Sequence, residues 1–513
     1  MDQSNSSEQT ASRSRASRRG GLRQVVWLLA LVCAAILVNP PRPMPDDDTS
    51  SWTSYAWLLD RGEKPYVDIP QGKGPILFAY AWLMGRLPAE PYVSRAAASG
   101  LVIVGSLFLY VAIAARLGAW AGLAAAACVA LGQVYWGVGL RTMVPQMVLM
   151  PAALMLFVLG VGSRRGWLFL AASGSHAALA ALTRQMAGAE TLALGVAALL
   201  LGPAGRTLAL SYACGVMGAG AAAVAILWCM GVPPPTLLHA LCGSETLAYA
   251  AVFSARSRYT AFLDTVLYLA PAAPLFGLGA AGWAWVWLRR SQGVAEAFWS
   301  RLLTAWLIGL AFEILATGRL YAHYFLALLP AVGVGVGILV KGLQGSDREA
   351  RRSAAPLVVG ALLALLAPSP LVTHRVASGW KHVILRSGYT LPEYLAARWV
   401  RSHTAPTDWL FAYTEFSHIY CFAKRPALLG ITRPSAYWKD APESVQMAER
   451  WQKWQEAMDA ARPPYVVVEN ADRAPPVLTR LLAEGYTSIA RFDSLTIYKR
   501  GKPRETMTAD RER

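Results

Sequence analysis

The chain has 513 residues, of which 55% are hydrophobic and only 15% are charged, and its mean hydropathy is +0.35. A water-soluble globule of this length needs more polar surface, so we expect the chain to lie largely in lipid. The formal net charge of +17 does not indicate nucleic-acid binding, because the Lys and Arg residues form short clusters between apolar stretches rather than one basic face.

The N-terminal region combines a polar tail with a first apolar stretch. Residues 1–23 are rich in Ser and Arg, which predicts a disordered basic tail in the cytoplasm. The apolar run Val25–Val38 could be a signal-peptide core, but Asn39-Pro-Pro-Arg-Pro follows it in place of a small-residue cleavage site. We therefore interpret this run as an uncleaved first span.

The first outer loop, residues 40–91, contains an acidic cluster, an amphipathic stretch, a turn and a lone lysine. The stretch Ser51–Leu59 predicts a helix in the membrane interface, with its aromatic side chains at headgroup depth. Gly74–Leu87 is apolar but too short to cross a bilayer, and a crossing there would invert the sidedness of every later basic loop. We therefore predict a juxtamembrane or re-entrant helix.

Further apolar stretches bring the number of predicted transmembrane helices to about eleven. With the tail in the cytoplasm, nearly every later Arg and Lys cluster falls on the same inner side, in agreement with the positive-inside rule. The predicted spans are Val25–Asn39, Tyr92–Ala115, Trp120–Val138, Met143–Val161, Trp167–Leu182, Met186–Leu201, Thr207–Met230, Phe262–Leu288, Leu302–Thr317, Tyr324–Val340 and Ala354–Val372.

The predicted fold class is thus a membrane all-α bundle, residues 24–373, followed by a small extracytoplasmic α/β domain, residues 374–500, and a disordered tail, residues 501–513. Polar and apolar residues alternate in the α/β region at the periods of short strands and helices. Its predicted helices are Leu391–Ser402, Ser444–Ala461 and Pro476–Glu484, and its predicted strands are Trp409–Tyr413, Tyr465–Glu469 and Leu495–Tyr498.

The outer loop also carries residues suited to glycosyl transfer from a lipid phosphate. A carboxylate from the cluster Asp46 to Asp48 would take the proton of an acceptor hydroxyl, and Lys73 would stabilise the charge that develops on the leaving phosphate. The alternative is a solvated acidic loop with a lysine that extends to the membrane interface. The residues alone leave both interpretations open.

A resemblance favours the first interpretation. The stretch Asp47-Asp48…Gly62-Glu-Lys-Pro-Tyr66-Val-Asp68…Lys73-Gly-Pro75 resembles the first outer loop of GT-C glycosyltransferases, in the branch with protein O-mannosyltransferases and the lipid A aminoarabinose transferase. Two later segments resemble motifs of the same family, Leu182-Thr-Arg184-Gln and Gly318-Arg-Leu-Tyr-Ala-His-Tyr324-Phe. Lys-Gly-Pro stands where the family has Lys-Pro-Pro, which is expected to give that corner more backbone freedom.

The resemblance implies an inverting transferase that moves one sugar from a polyprenyl-phosphate donor to a glycan, lipid or protein acceptor. The reaction would occur at the outer face of the bacterial cytoplasmic membrane, without a metal or other cofactor. It implies Asp47 as general base and Asp48 either as the residue that orients the acceptor or as second acid, although Asp46 leaves the register ambiguous by one residue. The implied donor-phosphate ligands are Lys73, Arg184, Arg319 and Arg141, and the implied substrate contacts are Tyr66, His323 and Tyr324.

Alternatives remain for several of these assignments. Arg141 suits a helix-end anchor equally well, and His323 and Tyr324 suit an interfacial anchor. Glu190 and Glu313, inside apolar stretches, are expected to form internal hydrogen bonds or to pair with a nearby Arg. For the whole chain, the alternatives are a transporter or flippase of lipid-linked sugars and a GT-C-like ligase that transfers an entire glycan.

Overall fold

The computed structural model describes residues 24–41, 47–69, 73–135, 143–201, 205–242, 255–316, 322–344, 370–414, 418–428, 452, 455–460 and 463–501. Asp46, Arg141 and Arg319 lie outside these residues, as do the tail 1–23 and most of the predicted span Ala354–Val372. The side chains of Asp47, Asp48 and His323 are also outside the description, although their backbone is included.

The N-terminal part of the chain is built from helices. Short connections join most neighbours along the chain, so consecutive helices run back and forth beside one another. The helices are α1 Gln24–Val38, α2 Asp47–Asp60, α3 Pro75–Gly85, α4 Val93–Leu117, α5 Ala119–Gly132, α6 Met143–Gly160, α7 Gly166–Ala181, α8 Gly188–Leu199, α9 Gly205–Cys229, α10 Pro234–Cys242, α11 Ala255–Leu269, α12 Ala273–Leu288, α13 Val294–Ala316 and α14 Leu328–Leu343.

Five helical segments among the described residues are long and apolar enough to cross a membrane. The chain is therefore a membrane protein with a largely helical body, as predicted, while the count of about eleven spans stays a prediction. The five segments are Val93–Leu117, Met143–Gly160, Gly205–Cys229, Val294–Leu315 and Tyr324–Leu343.

Small residues let the central helices approach closely. Every residue of α5 from position 121 to position 132 is buried, and this helix packs between α4 and α14. A Cβ atom on Gly333 of α14 would lie 2.7 Å from the carbonyl oxygen of Ala125 in α5. The backbones of α5 and α14 therefore meet directly, which is how apolar helices associate when lipid removes the hydrophobic driving force between them.

The predicted single span Phe262–Leu288 is wrong in one respect. The structure divides it into α11 and α12 at a 3-10 turn, Ala270–Ala272. Pro271 lies in this turn and Pro274 in the first turn of α12, and neither can donate a backbone hydrogen bond. The sequence also placed the start of the next span at Leu302, whereas α13 begins at Val294.

Two basic residues of different helices bond to carbonyl groups at the ends of neighbouring helices. Arg116, at the end of α4, donates a 3.0 Å hydrogen bond to the carbonyl oxygen of Val158 near the end of α6. Arg301 of α13 donates a 2.6 Å hydrogen bond to the carbonyl oxygen of Leu200, just after α8. These contacts agree with the predicted grouping of basic residues on one side of the membrane, and that this side is cytoplasmic stays a prediction.

The C-terminal region contains the predicted small sheet. The described strands are β1 Leu410–Tyr413, β2 Tyr465–Glu469, β3 Tyr486–Phe492 and β4 Leu495–Arg500. They have the order β1-β2-β4-β3, in which β1 pairs parallel to β2 and the remaining pairs are antiparallel. Strands β1, β2 and β4 confirm the three predicted strands, whereas β3 was not predicted because its side chains are mostly exposed and lack an apolar alternation.

Helices cover both faces of this sheet. Helix α16, Pro392–His403, packs on one face with α17, His418–Ala423, while α18, Pro476–Gly485, packs on the other. Two of these three helices, α16 and α18, were predicted from their periodicity. Of the predicted helix Ser444–Ala461, residues 455–460 are helical and most of the rest lies outside the described residues.

Several contacts join the C-terminal region to the membrane body. Helix α17 packs against α2, and Arg61 at the end of α2 donates to the carbonyl oxygen of Thr407 and lies 4.2 Å from the ring centroid of Trp409. A further helix, α15 Pro370–Ile384, crosses the predicted domain boundary after residue 373 and was not predicted. The indole of its Trp380 donates a 2.7 Å hydrogen bond to the carbonyl oxygen of Leu37 in α1.

Candidate active site

The predicted acids stand at the start of a helix. Asp47 and Asp48 are the first residues of α2, where the partial positive charge of the helix terminus favours carboxylates. Further along, Tyr55 and Leu58 are buried against Phe78 of α3. The predicted interfacial helix therefore exists, but it packs on α3 and α17 rather than lying alone on a lipid surface.

A tight turn connects α2 to the lysine corner. The backbone N–H of Lys64 donates a 2.8 Å hydrogen bond to the carboxylate of Asp68, and the carbonyl oxygen of Lys64 accepts from the N–H groups of Asp68 and Ile69. Tyr66 adopts a φ of +66°, which L-residues rarely adopt, so the turn is held by these surrounding contacts. Asp68 thus has a structural role in this turn.

Tyr66 fixes the backbone of Lys73. Its phenol donates a 2.7 Å hydrogen bond to the carbonyl oxygen of Lys73, and its ring packs edge-on against Phe78. Burial of the phenol raises the pKa of Tyr66 well above its usual value. The structure thus gives Tyr66 a positioning role, and its assignment as a substrate contact stays a prediction.

The lysine corner lies directly on the arginine corner. The backbone N–H of Ile76, in the first turn of α3, donates a 3.1 Å hydrogen bond to the carbonyl oxygen of Leu182, at the end of α7. A Cβ atom on Gly74 would lie 1.9 Å from that same oxygen. Segments 73–75 and 182–184, which are far apart in sequence, therefore form one structural unit.

This contact corrects the expectation that Gly74 gives the corner more backbone freedom. The residue has φ −64° and ψ 155°, an extended conformation that most residues, including proline, adopt without strain. What Gly74 provides is the absence of a side chain, because any Cβ would collide with the Leu182 carbonyl.

Arg184 belongs to a buried polar cluster inside the bundle. Its side chain is 4% exposed, and its Nη1 donates to Oε1 of Glu313 at 2.5 Å. The side-chain amide of Gln146 donates to Glu313 and, at 2.5 Å, to Glu190, while the indole of Trp306 donates to Glu190 at 2.6 Å. The expectation that Glu190 and Glu313 form internal hydrogen bonds or pair with an Arg is confirmed.

The charged members of this cluster and Gln146 lie at the same end of the bundle. Glu190 is in the first turn of α8, Gln146 is in the first turn of α6, and Glu313 is in the last turn of α13. Arg184 lies between α7 and α8, next to the corner that holds Lys73. This end is opposite to the one where Arg116 and Arg301 cap their neighbours.

The Nη2 group of Arg184 differs from its Nη1 group in its hydrogen bonding. Its Nη1 is engaged with Glu313 and with the sulfur of Met143, and the plane of the Tyr324 ring lies beneath it, with the centroid 4.5 Å from Cζ. Its Nη2 is buried and has no hydrogen-bond partner among the described residues. A buried N–H without a partner costs about 1–3 kcal/mol, so this atom suits a ligand oxygen.

The structure thus brings together Lys73, Arg184, Tyr66 and Tyr324 among the predicted site residues. Arg141 and Arg319 are outside the described residues, and the backbone of His323 lies in the 3-10 helix Ala322–Ala327. Within the described part of the chain, no three His, Cys, Asp or Glu side chains converge as a metal site would require. The side chains of Asp47 and Asp48 lie outside this described part, and the metal independence of the chain stays a prediction.

Gln146 and Trp306 were missed by the sequence analysis. Gln146 is a lone polar residue in the apolar run Met143–Val161, which is a signal for an internal partner in a membrane helix. Trp306 gave no comparable signal, because its indole N–H matters only once Glu190 is known to face it.

Lys424 of the C-terminal region lies over the helix that begins with the predicted acids. Its ammonium is 5.6 Å from the ring centroid of Trp57 in α2. Burial, followed by the nearby charge of Arg401, lowers the pKa of Lys424 from its usual value. The C-terminal region therefore lies against the C-terminal half of α2.

Comparison with known proteins shows which fold this arrangement belongs to. ArnT from Cupriavidus metallidurans, solved with bound undecaprenyl phosphate, superposes with a TM-score of 0.61 over 92% of this chain and 97% of its own, at 15% sequence identity. The chain has the GT-C fold. The apo structure of ArnT gives the same TM-score at 14% identity.

A second solved structure has the same fold but superposes less closely. The oligosaccharyltransferase AglB from Archaeoglobus fulgidus, solved with an inhibitory peptide and a dolichol-phosphate, gives a TM-score of 0.51 at 12% identity over 93% of this chain and 74% of its own. No protein-family model and no curated protein matches the sequence. The predicted resemblance to GT-C proteins is thus confirmed for the fold, which covers most of the chain.

Proposed function

We propose that the chain is an inverting glycosyltransferase that moves one sugar from a polyprenyl-phosphate donor to an acceptor. The acceptor is a glycan, lipid or protein at the outer face of a bacterial cytoplasmic membrane. The observation that carries this proposal is the contact between the Lys73 and Arg184 corners, through the hydrogen bond from Ile76 to Leu182 and the missing Cβ of Gly74. The likeness to ArnT, solved with undecaprenyl phosphate, supports a lipid phosphate as the ligand of these cations.

In the proposed reaction, a carboxylate of Asp47 takes the proton of the acceptor hydroxyl as its oxygen attacks the anomeric carbon. The bond between that carbon and the phosphate oxygen breaks, and the polyprenyl phosphate leaves with the electron pair. Attack opposite the leaving group inverts the anomeric configuration. General-base catalysis of this kind contributes typically about 10²–10⁴-fold to a rate.

The cations act on the phosphate in this proposal. Lys73 approaches it as a point charge, and Arg184 donates from Nη2, which has no partner among the described residues. Glu313 holds the guanidinium through Nη1, so the fork is oriented before the donor binds. In a dry site, such fixed donors stabilise developing charge without reorganising water.

The C-terminal region supports the proposed sidedness. Its helix α17 packs on α2, the helix that begins with Asp47 and Asp48. Arg116 and Arg301 are at the opposite end of the bundle, which the positive-inside rule assigns to the cytoplasm. The acids and the C-terminal region are then extracytoplasmic.

Transfer of a whole glycan is a second candidate, favoured by the likeness to an oligosaccharyltransferase. The test is reconstitution of the purified chain in liposomes with polyprenyl-phosphate carriers that bear a radiolabelled sugar, together with an extract of acceptors. We expect one labelled sugar on the acceptor and free polyprenyl phosphate as the second product. A complete glycan on the acceptor would support the ligase, and movement of carrier between leaflets without transfer would support the flippase.

A further inference from the structure

A groove of about 950 Å³ lies between α8 and α13, on the side of these helices that faces away from the core of the bundle. Its walls are apolar, and Leu192, Val196 and Ile308 on those walls are exposed. At the bottom of the groove, Gly309 of α13 lies close to the backbone of α8, because a Cβ on this glycine would be 2.8 Å from the carbonyl oxygen of Ala189. In a membrane protein, exposed apolar walls of this kind face hydrocarbon chains.

One end of the groove is cationic. Arg290 and Arg301 line it together with Trp287. The guanidinium of Arg290 lies 3.9 Å from the ring centroid of Trp287, and the Nη1 of Arg301 donates to the carbonyl oxygen of Leu200. Both arginines are exposed, and neither has an acidic partner within the described part of the chain.

The groove has the depth of a lipid chain. Helix α8, which forms one wall, has 12 residues and is therefore about 18 Å long. The hydrocarbon core of a bilayer is about 30 Å thick, so one leaflet contributes about 15 Å. A chain entering beside Arg301 would thus run along the groove for the depth of one leaflet.

We propose that this groove binds an anionic phospholipid of the leaflet that contains Arg290 and Arg301. The phosphate contacts the two arginines, and an acyl chain lies between α8 and α13. A carrier lipid held at Arg184 fits less well, because Arg184 does not line the groove and its guanidinium is turned towards Glu313. This proposal does not depend on the proposed sugar transfer.

Native mass spectrometry of the full-length protein with phosphatidylglycerol or phosphatidylcholine tests it. We expect selective binding of phosphatidylglycerol, weakened about 30-fold in the Arg290→Gln/Arg301→Gln variant, because this variant removes both cations that contact the lipid phosphate. Val196→Trp should also weaken binding, since the ring would fill the groove from an exposed position.

The matched control is Arg164→Gln/Arg165→Gln, which removes two adjacent exposed arginines outside the groove. This variant should bind phosphatidylglycerol like the parent. An equal loss in both double variants would show general attraction to the surface and overturn the proposal. It would also be overturned if Val196→Trp lost undecaprenyl phosphate while phosphatidylglycerol binding remained, because the groove would then hold the carrier.

Discussion

At the scale of single residues, Lys73 offers the simplest test of the phosphate site. Lys73→Ala should weaken donor binding by about 10- to 100-fold, because a hydrogen bond to a charged group contributes about 1.5–3 kcal/mol. Lys64→Ala is the control, since Lys64 is an exposed lysine of the same loop. The measurement is the affinity of each variant for polyprenyl-phosphate sugar at equal protein levels. Equal affinities of the two variants would mean that Lys73 is a membrane-interface anchor and does not bind the phosphate.

Glu313 tests how Arg184 is held. Glu313→Gln removes the carboxylate that is bonded to Arg184 and leaves Glu190 as the remaining acid of this buried cluster, which should cost at most about 3–5 kcal/mol of stability. If donor phosphate binds Arg184, it supplies the missing charge, so donor should raise the melting temperature of this variant more than that of the parent.

Glu296→Gln, at the other end of α13, is the matched control and should behave like the parent. The double variant Arg184→Met/Glu313→Leu should regain stability, because a buried ion pair is often replaced by apolar residues without loss, but it should not respond to donor. A donor-induced shift that is the same in Glu313→Gln as in the parent would contradict phosphate binding at Arg184.

The sequence predicted part of this residue-scale organisation. A charge inside an apolar stretch is costly, so Arg184, Glu190 and Glu313 were each expected to have partners. Which partners they find depends on helices that are distant in sequence, so no local pattern could assign Gln146 to both carboxylates. Tyr66 was similarly recognised as part of a motif, but its bond to Lys73 required the turn geometry.

At the scale of elements, the proposed phosphate site depends on the contact between α3 and the end of α7. Gly74→Ala should cost about 1–3 kcal/mol or displace the corner, because the added methyl group would lie 1.9 Å from the Leu182 carbonyl oxygen. A displaced corner should also lower the rate of sugar transfer, because Lys73 directly precedes Gly74 and Arg184 lies two residues after Leu182.

Gly188→Ala is the control for this substitution. Gly188 begins α8, close to Arg184, and a Cβ there would have no atom within 4 Å. Thermal unfolding and turnover of the two variants should therefore diverge. If Gly74→Ala had the melting temperature and the turnover of the parent, the position of Lys73 would not depend on the contact with Leu182.

Elements with strong local patterns were predicted well, and elements set by tertiary contacts were not. The buried strand Tyr465–Glu469 and the helix that begins at Pro476 follow from β-branched residues and from periodicity. Strand β3 lies at the edge of the described sheet, next to β4, and exposes most of its side chains, so its residues show no apolar alternation. The break between α11 and α12 was signalled by Pro271 and Pro274, but the apolar run around them concealed it.

At the scale of the whole molecule, the topology can be tested with single cysteines in a cysteine-free background. Ser163, in the connection between α6 and α7, should be labelled only from the cytoplasmic side, because it is exposed beside Arg164 and Arg165. Ser402, exposed near the end of α16, should be labelled only from outside. Labelling of both residues from the same side of intact vesicles would contradict the proposed placement of the C-terminal region.

The overall fold was predictable because its main signals are global. Hydropathy and the distribution of Arg and Lys predicted a helical membrane body, and the change in alternation after it predicted the sheet. The loop motif added the GT-C fold, which the superposition on ArnT confirms. The sugar and the acceptor leave no such pattern, because they are selected by side chains whose arrangement is specific to each protein.

The most direct test of the central claim is mass spectrometry of the envelope glycans and lipid carriers from a strain that lacks this gene. We predict that one glycan, lipid or protein is lighter by one sugar residue in this strain. The polyprenyl-phosphate donor of that sugar should accumulate. The parent gene should restore the sugar, and a gene encoding Asp47→Asn should not. Full restoration by Asp47→Asn, or an unchanged set of glycans in the deletion strain, would contradict the proposed transferase.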